Sequence, residues 1–318
     1  TTSNTVTRLF SGVNAPSQPS AKKVEFYART PDLGEVGNPI AQGDQTVMWV
    51  SLSDAAPPPQ GVQPYVSSAN IPIHYWRSGV FATYTGRGWK PAPVNVTTLP
   101  GSEPSKSPPP GRYYLTQNYS LEARTDGTLF AVNDPQLTST GATLHGTRLG
   151  DSRMLLGQVQ NYQVISEATQ VTGQQLIASP RSYPASIEQA YLQLPDSLPE
   201  RVRSLARRVT AGSGDPYHQA LAIQNYLRKN YPYNLNVPPP PANRDVVDYF
   251  LFDAPGGFCS HYASAMVVML RVVGVPARVA AGYAMGEFDQ PRQAYRVPVS
   301  AAHAWVEVYF PGYGWIEF

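Results

Sequence analysis

The chain contains a single cysteine among its 318 residues, and the residues around that cysteine indicate chemistry. Cys259 follows the pair Gly256-Gly257 and precedes apolar residues at helical spacing, among them Ala263 and Met266. Glycine permits sharp turns and close backbone approach, and a helix that begins at the cysteine directs its unsatisfied N–H groups and positive dipole end at the sulfur. These groups stabilise a thiolate, so we predict a nucleophile. A buried structural thiol is the alternative, since free cysteine is among the most buried residue types.

A cysteine nucleophile needs a base, and histidine has the appropriate pKa. His261 is the nearest in sequence, but two residues along a helix turn its side chain roughly 200° away from the sulfur. We therefore predict a helix-start or packing role for it. His303 lies on a predicted regular strand, where its ring can face a helix N-terminus, and it is the better candidate. His74, His145 and His218 are predicted to be structural or exposed.

Composition excludes several classes of function. The net charge of +2 and the absence of a Lys/Arg run argue against a nucleic-acid partner. One cysteine excludes an intrachain disulfide, and the scattered histidines have no metal-ligand spacing, so neither a metal nor a cofactor is predicted. No apolar run reaches the roughly 18 residues of a membrane span, and no signal peptide is visible. The missing initiator Met suggests an excerpt from a longer protein.

The sequence pattern divides the chain into three predicted parts. Residues 1–20 are polar and are predicted to be loosely held. Residues 21–180 have strand-like patterns between turn clusters and no convincing helix, which predicts a β-rich, sandwich-like domain. Its strands are predicted at 24–28, 46–50, 73–84, 112–123 and 159–168. Residues 181–318 contain predicted helices followed by strands, the order of an α+β fold.

Local signals place the helices and strands of the last part. Three helix starts are predicted: one from a capping box at Ser197-Leu198-Pro199-Glu200, one from Asp215-Pro216 and one from Asp245. Gly274 is predicted to end the cysteine helix. A strand is predicted at 277–283, a polar loop at 286–293 and a final strand at 315–318. The strand at 302–310 alternates cleanly. One predicted face carries His303, Trp305, Glu307 and Tyr309, and the other carries Ala304, Val306, Val308 and Phe310.

Three segments resemble, in order, the motifs of the transglutaminase-like (papain-related cysteine) superfamily. Residues 256–265 (GGFCSHYASA) resemble its nucleophile motif, and residues 270–279 (LRVVGVPARV) resemble the segment that follows. Residues 302–309 (AHAWVEVY) and the later PGYGW resemble the histidine strand and its turn. The resemblance implies helices packed on an antiparallel sheet, with Cys259 as nucleophile and His303 as base.

A looser resemblance covers the β-rich part. Residues 75–80 (YWRSGV) and 84–89 (YTGRGW) are similar to the region before the core in membrane-anchored bacterial transglutaminase-like proteins. It implies an extracytoplasmic domain, periplasmic or at the cell surface, whose parent protein is membrane-anchored. The implied partner is a protein or peptide substrate at the cell envelope.

The resemblance also implies a third catalytic residue, an Asp immediately after Phe318, which the given sequence does not include. It would hold the base in the right tautomer. Glu307 shares the predicted face of His303 but lies roughly 13 Å along the strand. Glu317 is a weak substitute, and we expect it on the opposite face.

The implied activity is acyl transfer on protein carboxamides through a cysteine thioester, as glutamine–lysine transamidation or as deamidation. A cell-surface cysteine peptidase or amidase is a second possibility. A catalytically inert binding or scaffold module is a third. The sequence does not identify the substrate-binding residues.

Overall fold

The computed structural model describes residues 36, 42–53, 73–99, 107–139, 141–147, 149 and 152–318. The loose segment predicted at 1–20 and the strand predicted at 24–28 lie outside the described residues. Among the described residues, no helix is both long enough and apolar enough to cross a membrane.

The described part of the chain forms strands first and then helices followed by further strands. The strands are β1 (Thr46–Leu52), β2 (Trp76–Tyr84), β3 (Trp89–Pro91), β4 (Val94–Leu99), β5 (Arg112–Leu121), β6 (Pro135–Thr138), β7 (Ala142–Thr147), β8 (Arg153–Gly157), β9 (Asn161–Thr169), β10 (Ala277–Tyr283), β11 (Glu287–Asp289), β12 (Ala294–Pro298), β13 (Ala302–Phe310) and β14 (Gly314–Glu317). The helices are α1 (Gly173–Ile177), α2 (Ala185–Tyr191), α3 (Glu200–Val209), α4 (Pro216–Asn230), α5 (Val246–Phe252) and α6 (Cys259–Val272).

These strands form three antiparallel sheets, with the orders β11-β12-β1-β5-β9-β6, β14-β13-β10-β2-β3 and β4-β7-β8. The predicted α+β fold with an antiparallel sheet is confirmed. Two sheets combine strands from both sides of residue 180, because β2 pairs with β10 and β1 pairs with β12. The β-rich part and the helical part therefore share two hydrogen-bonded sheets.

Helix α6 lies at the centre of the helical part. Twelve of its 14 residues are buried, which is the environment expected of a helix that is apolar on nearly every side. It contacts α3, α4 and α5 on one side and strands β10 and β13 on the other. Gly274 ends it with a φ of +80°, a conformation that glycine adopts without strain. The predicted start and end of this helix are both confirmed.

Two other helix starts were predicted by the residues that cap them. The Asp245 side chain accepts hydrogen bonds from the N–H groups of Val247 (2.9 Å) and Asp248 (3.0 Å) at the start of α5. The Asp215 side chain accepts one from the N–H of His218 (2.9 Å) at the start of α4. Each carboxylate satisfies donors that a first helical turn otherwise leaves without partners.

Two local predictions are wrong, and two short helices were missed. The capping box predicted at Ser197 is absent, since Pro199 occupies the N-cap of α3 and makes no side-chain hydrogen bond there. Helices α1 and α2 were not predicted, because both are short and α2 begins after Pro184 without a capping side chain. Helix α1 lies within residues 21–180, where the sequence predicts strands and no helix. The polar loop predicted at 286–293 contains β11, whose strand conformation comes from pairing with β12 rather than from its own composition.

The two faces of β13 separate as the alternation predicts. Ala304, Val306 and Val308 belong to the core that also contains α6. Trp305 packs in a different cluster, with Tyr191 of α2. The five-stranded sheet therefore lies between α6 and α2, and the N-terminal end of α6 is placed beside the beginning of β13.

Candidate active site

The turn that precedes Cys259 requires glycine at two positions. Gly256 has a φ of +150°, and a Cβ atom there would lie 2.6 Å from the carbonyl oxygen of Pro232. A Cβ atom on Gly257 would lie 2.6 Å from the ring of Phe250. Real side chains do not approach so closely, so the glycine pair lets the chain pass between two neighbours and begin α6 with the cysteine.

A short segment between α4 and α5 runs beside this turn. The Gly257 N–H donates to the carbonyl oxygen of Pro232 (3.2 Å), and the Asn234 N–H donates to the carbonyl oxygen of Gly257 (2.8 Å). The hydroxyl of Tyr262, on the first turn of α6, donates to the carbonyl oxygen of Tyr231 (2.5 Å). These bonds hold residues 231–234 against the start of the cysteine helix.

His261 has a packing and capping role, as predicted. The N–H of Phe258 donates to its Nδ1 atom (3.3 Å). Its ring is buried and lies against the rings of Phe250 and Phe258. Burial lowers the pKa of His261 to about 4, so the ring is neutral at physiological pH and accepts this hydrogen bond.

Four donors near Cys259 lower the pKa of its thiol. They are the backbone N–H groups of Cys259, Ser260 and Ala304 and the hydroxyl of Tyr233, and each favours the thiolate. Burial acts in the opposite direction and is stronger, since the residue is only 4% exposed. It raises the pKa of the Cys259 thiol to about 11. The stabilising N–H groups predicted at the helix start are present, but the thiol is protonated at neutral pH in the free protein.

His303, the second residue of β13, lies opposite Gly282 of β10. A Cβ atom on Gly282 would lie 1.9 Å from the carbonyl oxygen of Trp76, so this glycine allows β2 to approach closely. Tyr75, just before β2, stacks its ring on those of His303 (5.6 Å between centroids) and Trp305 (4.6 Å). Burial lowers the pKa of His303 to about 4, so its ring is neutral at pH 7 and able to accept a proton.

Cys259 and His303 line the same cleft, which has a volume of about 370 Å³. The contact of the sulfur with the N–H of Ala304 places it beside the residue that follows His303. Most of the remaining wall is aromatic or apolar. The aromatic side chains in it are Tyr75, Tyr231, Tyr233, Tyr262, Trp305 and Phe318.

Glu307 does not reach His303, in agreement with the distance expected along the strand. It is fully buried, and its carboxylate forms ion pairs with Arg77 (3.1 Å) and Arg278 (2.7 Å). Burial opposes ionisation of this carboxyl, but Arg278 and Arg77 outweigh burial and hold its pKa below the usual range. Glu307 therefore belongs to a buried ion-pair cluster with Arg77 and Arg278.

Glu317 lies directly opposite Glu307 in the pairing of β13 with β14. It is consequently on the same face of the sheet as His303, and the prediction of the opposite face is wrong. Residues that pair across two antiparallel strands share a face, and this register could not be read from β14 alone. Burial and the charge of Glu307 raise the pKa of Glu317 to about 8. Along the strand direction, Glu317 is still roughly 13 Å from His303.

Tyr75 and Tyr233 are two of the cleft residues that sequence reasoning missed. Tyr233 stands in a short segment that follows α4, and Tyr75 stands directly before β2. Neither has a local signal for a site, since the pairing of distant segments brings both to the cleft. Among the described residues, no cluster of His, Cys, Asp and Glu side chains has the size needed to hold a metal ion.

Part of the chain that contains this cleft matches a known protein family. Residues 203–318 match the family model of the transglutaminase-like superfamily. The chain carries a transglutaminase-like domain. The matched residues include α4, α5, α6 and the strands β10 to β14, and therefore both Cys259 and His303.

Two relatives are bacterial proteins considerably longer than this chain. YebA of Bacillus subtilis (strain 168), an uncharacterized protein, is 45% identical over 134 residues, which cover 40% of this chain and 18% of YebA. A protein-glutamine gamma-glutamyltransferase of Pseudomonas aeruginosa PAO1 is 31% identical over 253 residues. That alignment covers 76% of this chain and 34% of the transferase. The chain thus spans about a third or less of these two relatives.

Solved structures agree with the fold. The periplasmic domain of TgpA from Pseudomonas aeruginosa superimposes with a TM-score of 0.63 and 26% sequence identity. The match covers 96% of this chain and 93% of that domain. A second structure of the same domain, bound to ethylmercury, matches with the same TM-score and identity over 92% of this chain. Since the match extends well beyond residues 203–318, it includes the β-rich part.

Proposed function

We propose that this chain catalyses thiol-dependent acyl transfer on protein carboxamides, with Cys259 as nucleophile and His303 as base. The observation that carries the proposal is the position of the sulfur. It lies at the start of a buried helix, against the N–H of Ala304, in the cleft that His303 also lines. Membership of the transglutaminase-like superfamily and similarity to a protein-glutamine gamma-glutamyltransferase support the same chemistry.

In the first step, His303 takes the proton of the Cys259 thiol while the sulfur attacks the carbonyl carbon of a glutamine side-chain amide. Negative charge moves from the sulfur to the carbonyl oxygen. The backbone N–H of Cys259 is placed to stabilise that charge, because it belongs to a first helical turn whose donors have no partners within the helix. The carbon–nitrogen bond then breaks, and His303 gives its proton to the departing ammonia. A thioester on Cys259 remains.

In the second step, a primary amine attacks the thioester carbon and the sulfur leaves. His303 takes a proton from the attacking amine and returns one to the sulfur, which restores the thiol. A lysine amine forms an isopeptide bond, and the net reaction is transamidation. Water in place of the amine gives glutamate, and the net reaction is deamidation.

We also propose that a carboxylate directly after Phe318 orients His303. The N–H of Phe318 donates to the carbonyl oxygen of Val306 (2.9 Å), so the pairing of β14 with β13 continues to this residue. The register that pairs Glu317 with Glu307 places the residue after Phe318 opposite Trp305, on the face of the sheet that carries His303. A carboxylate there is two positions nearer to His303 than Glu317 is.

The protein substrate is proposed to be extracytoplasmic, at the cell envelope, and the parent protein to be membrane-anchored. The similarity to a periplasmic domain supports this location. A cleft with a largely aromatic wall suits a peptide segment, because aromatic side chains bury large areas of an extended chain.

The test measures two products in the full-length protein. A glutamine-containing peptide and a labelled primary amine are supplied, and incorporated label and released ammonia are both measured. Cys259→Ala should abolish both products, and His303→Ala should lower their rates by about a thousandfold. The control His218→Ala removes a half-exposed imidazole outside the cleft and should leave the rates unchanged.

Undiminished incorporation in the Cys259→Ala protein would refute the proposal. Ammonia release without incorporation would assign a deamidase. Cleavage of the peptide backbone would assign a peptidase, and a folded wild-type protein that forms none of these products would favour an inert binding module.

A further inference from the structure

We propose that Gln224 and Arg228 form a carboxylate-binding subsite of the cleft, which selects acyl-donor peptides that carry a carboxylate close to the reactive glutamine. The inference rests on the proposed function, because it names the substrate class of the same cleft. Both residues belong to α4, and both line the cleft together with Cys259 and His303.

The spacing of the two residues makes them neighbours on the surface of α4. Residues four positions apart follow one another on the same face of a helix, roughly 6 Å apart along its axis. The guanidinium of Arg228 offers paired N–H donors whose geometry matches a carboxylate, and the carboxamide of Gln224 adds further N–H donors. Together they offer the donors that bind a carboxylate of a peptide.

Neither side chain is used by the fold. Within the part of the chain that the structure describes, the side chains of Gln224 and Arg228 form no hydrogen bond or ion pair. Arg201 and Arg244, also in the helical part, are both paired with Asp248. Arg228 is exposed, so its guanidinium is able to turn towards an anion that enters the cleft.

Arg228 is the one charged side chain among the described residues that line the cleft. Burial lowers the pKa of His303 to about 4 and raises that of the Cys259 thiol to about 11, so both groups are neutral at pH 7. Tyrosine and glutamine side chains, which supply the remaining polar groups, carry no charge at this pH. The cleft therefore has a net positive charge and favours an anionic peptide over a cationic one.

The distance between this subsite and the sulfur suits an extended peptide. Tyr262, one helical turn after Cys259, donates a hydrogen bond from its hydroxyl to the carbonyl oxygen of Tyr231, one turn after Arg228. Both steps lead away from the sulfur, since α4 runs back beside α6 along the same cleft. Two turns amount to roughly 10 Å, which an extended chain covers with about three residues. We therefore expect the carboxylate two or three positions from the glutamine.

The experiment compares acetylated and amidated glutamine peptides that differ only in an Asp or an Asn, two or three positions before or after the glutamine. Values of kcat/KM for amine incorporation are measured with the full-length protein. We expect wild type to prefer an Asp peptide over its Asn counterpart about fivefold at low salt, and less as salt screens the charge. A further pair, with a free or an amidated C-terminus, distinguishes a terminal carboxylate from a side-chain carboxylate.

Two variants of Arg228 test whether this residue causes the preference. Arg228→Gln should abolish it, and Arg228→Glu should reverse it in favour of a peptide with Lys in place of Asp. The matched control is Lys229→Gln, which removes the neighbouring charge on α4 from an exposed residue that does not line the cleft. It should keep the wild-type preference.

Equal kcat/KM values within every pair in wild type, or an equal loss of preference in Arg228→Gln and Lys229→Gln, would overturn the inference. Binding of the same peptides, labelled with fluorescein, to the Cys259→Ala protein is measured by fluorescence anisotropy and needs no turnover. Carboxylate-dependent binding by a protein that incorporates no amine would contradict the proposed function alone.

Discussion

The buried carboxyl of Glu317 makes the stability of this domain depend on pH. Its pKa rises from about 4.5 to about 8 on folding, because the side chain enters the protein interior and faces the ionised Glu307. Arg77 and Arg112 act in the opposite direction but do not cancel these effects. The folded state therefore binds the proton more tightly than the unfolded state. The stability that this group contributes is complete below pH 4.5 and is lost as the pH rises through 8.

The size of this stability change follows from the pKa shift of Glu317. The difference between a pKa of 4.5 and one of about 8 corresponds to a change of about 5 kcal/mol in the free energy of unfolding across this pH range, at about 1.36 kcal/mol for each pKa unit. Since Glu317 is only partly buried by surface area, water screens part of this energy, and about 3 kcal/mol is the better expectation. Glu317→Gln, which cannot ionise, should be more stable than wild type by about that amount at pH 9 and nearly equal to it at pH 5.

The assay is urea unfolding of wild type and Glu317→Gln at pH 5, 7 and 9, followed by circular dichroism. The control Glu287→Gln changes a glutamate whose side chain is 73% exposed on β11, and it should leave the pH dependence of stability as in wild type. If Glu317→Gln and wild type lose stability in parallel between pH 5 and 9, the carboxyl titrates normally and the reasoning about its burial is refuted.

Three further predictions concern the site and its support. Glu307→Gln should lower the free energy of unfolding by about 3–5 kcal/mol, because its two arginine partners stay buried without their anion, and thermal unfolding against Glu287→Gln measures this. Gly257→Ala should destabilise the turn before α6 and lower amine incorporation at least tenfold, since the new Cβ atom meets the ring of Phe250; wild-type incorporation in that variant would contradict the close packing. The acid limb of kcat/KM should lie near pH 4, where His303 becomes protonated and can no longer accept the thiol proton, and a limb near the ordinary histidine value of about 6.5 would show that burial does not govern this ring.

Elements with strong local signals could be predicted from the sequence. Helix α6 has glycine before it, glycine after it and apolar residues between, and α5 has Asp245 at its N-cap. The alternation of β13 assigned its two faces correctly. Capping, turn formation and side-chain periodicity are local, because they act between residues a few positions apart.

The pairing of strands could not be predicted in the same way. Strand β2 pairs with β10, about 200 residues later in the chain, and β1 pairs with β12, about 250 residues later. A strand pattern shows which side chains share a face but not which strand lies beside it. The position of Tyr75 on the ring of His303 depends on the first of these pairings, and so the sequence contained no local sign of it.

For the candidate site, the sequence by itself determined that Cys259 begins a helix and that His303 occupies a particular face of a strand. Only the tertiary structure decided the protonation states of both groups and the neighbours they meet. A pKa depends on the water removed and the charges gathered by the whole fold, and burial here outweighs the four donors at the sulfur. Those donors come from three separate segments, the start of α6, strand β13 and the segment before α5, which only folding brings together.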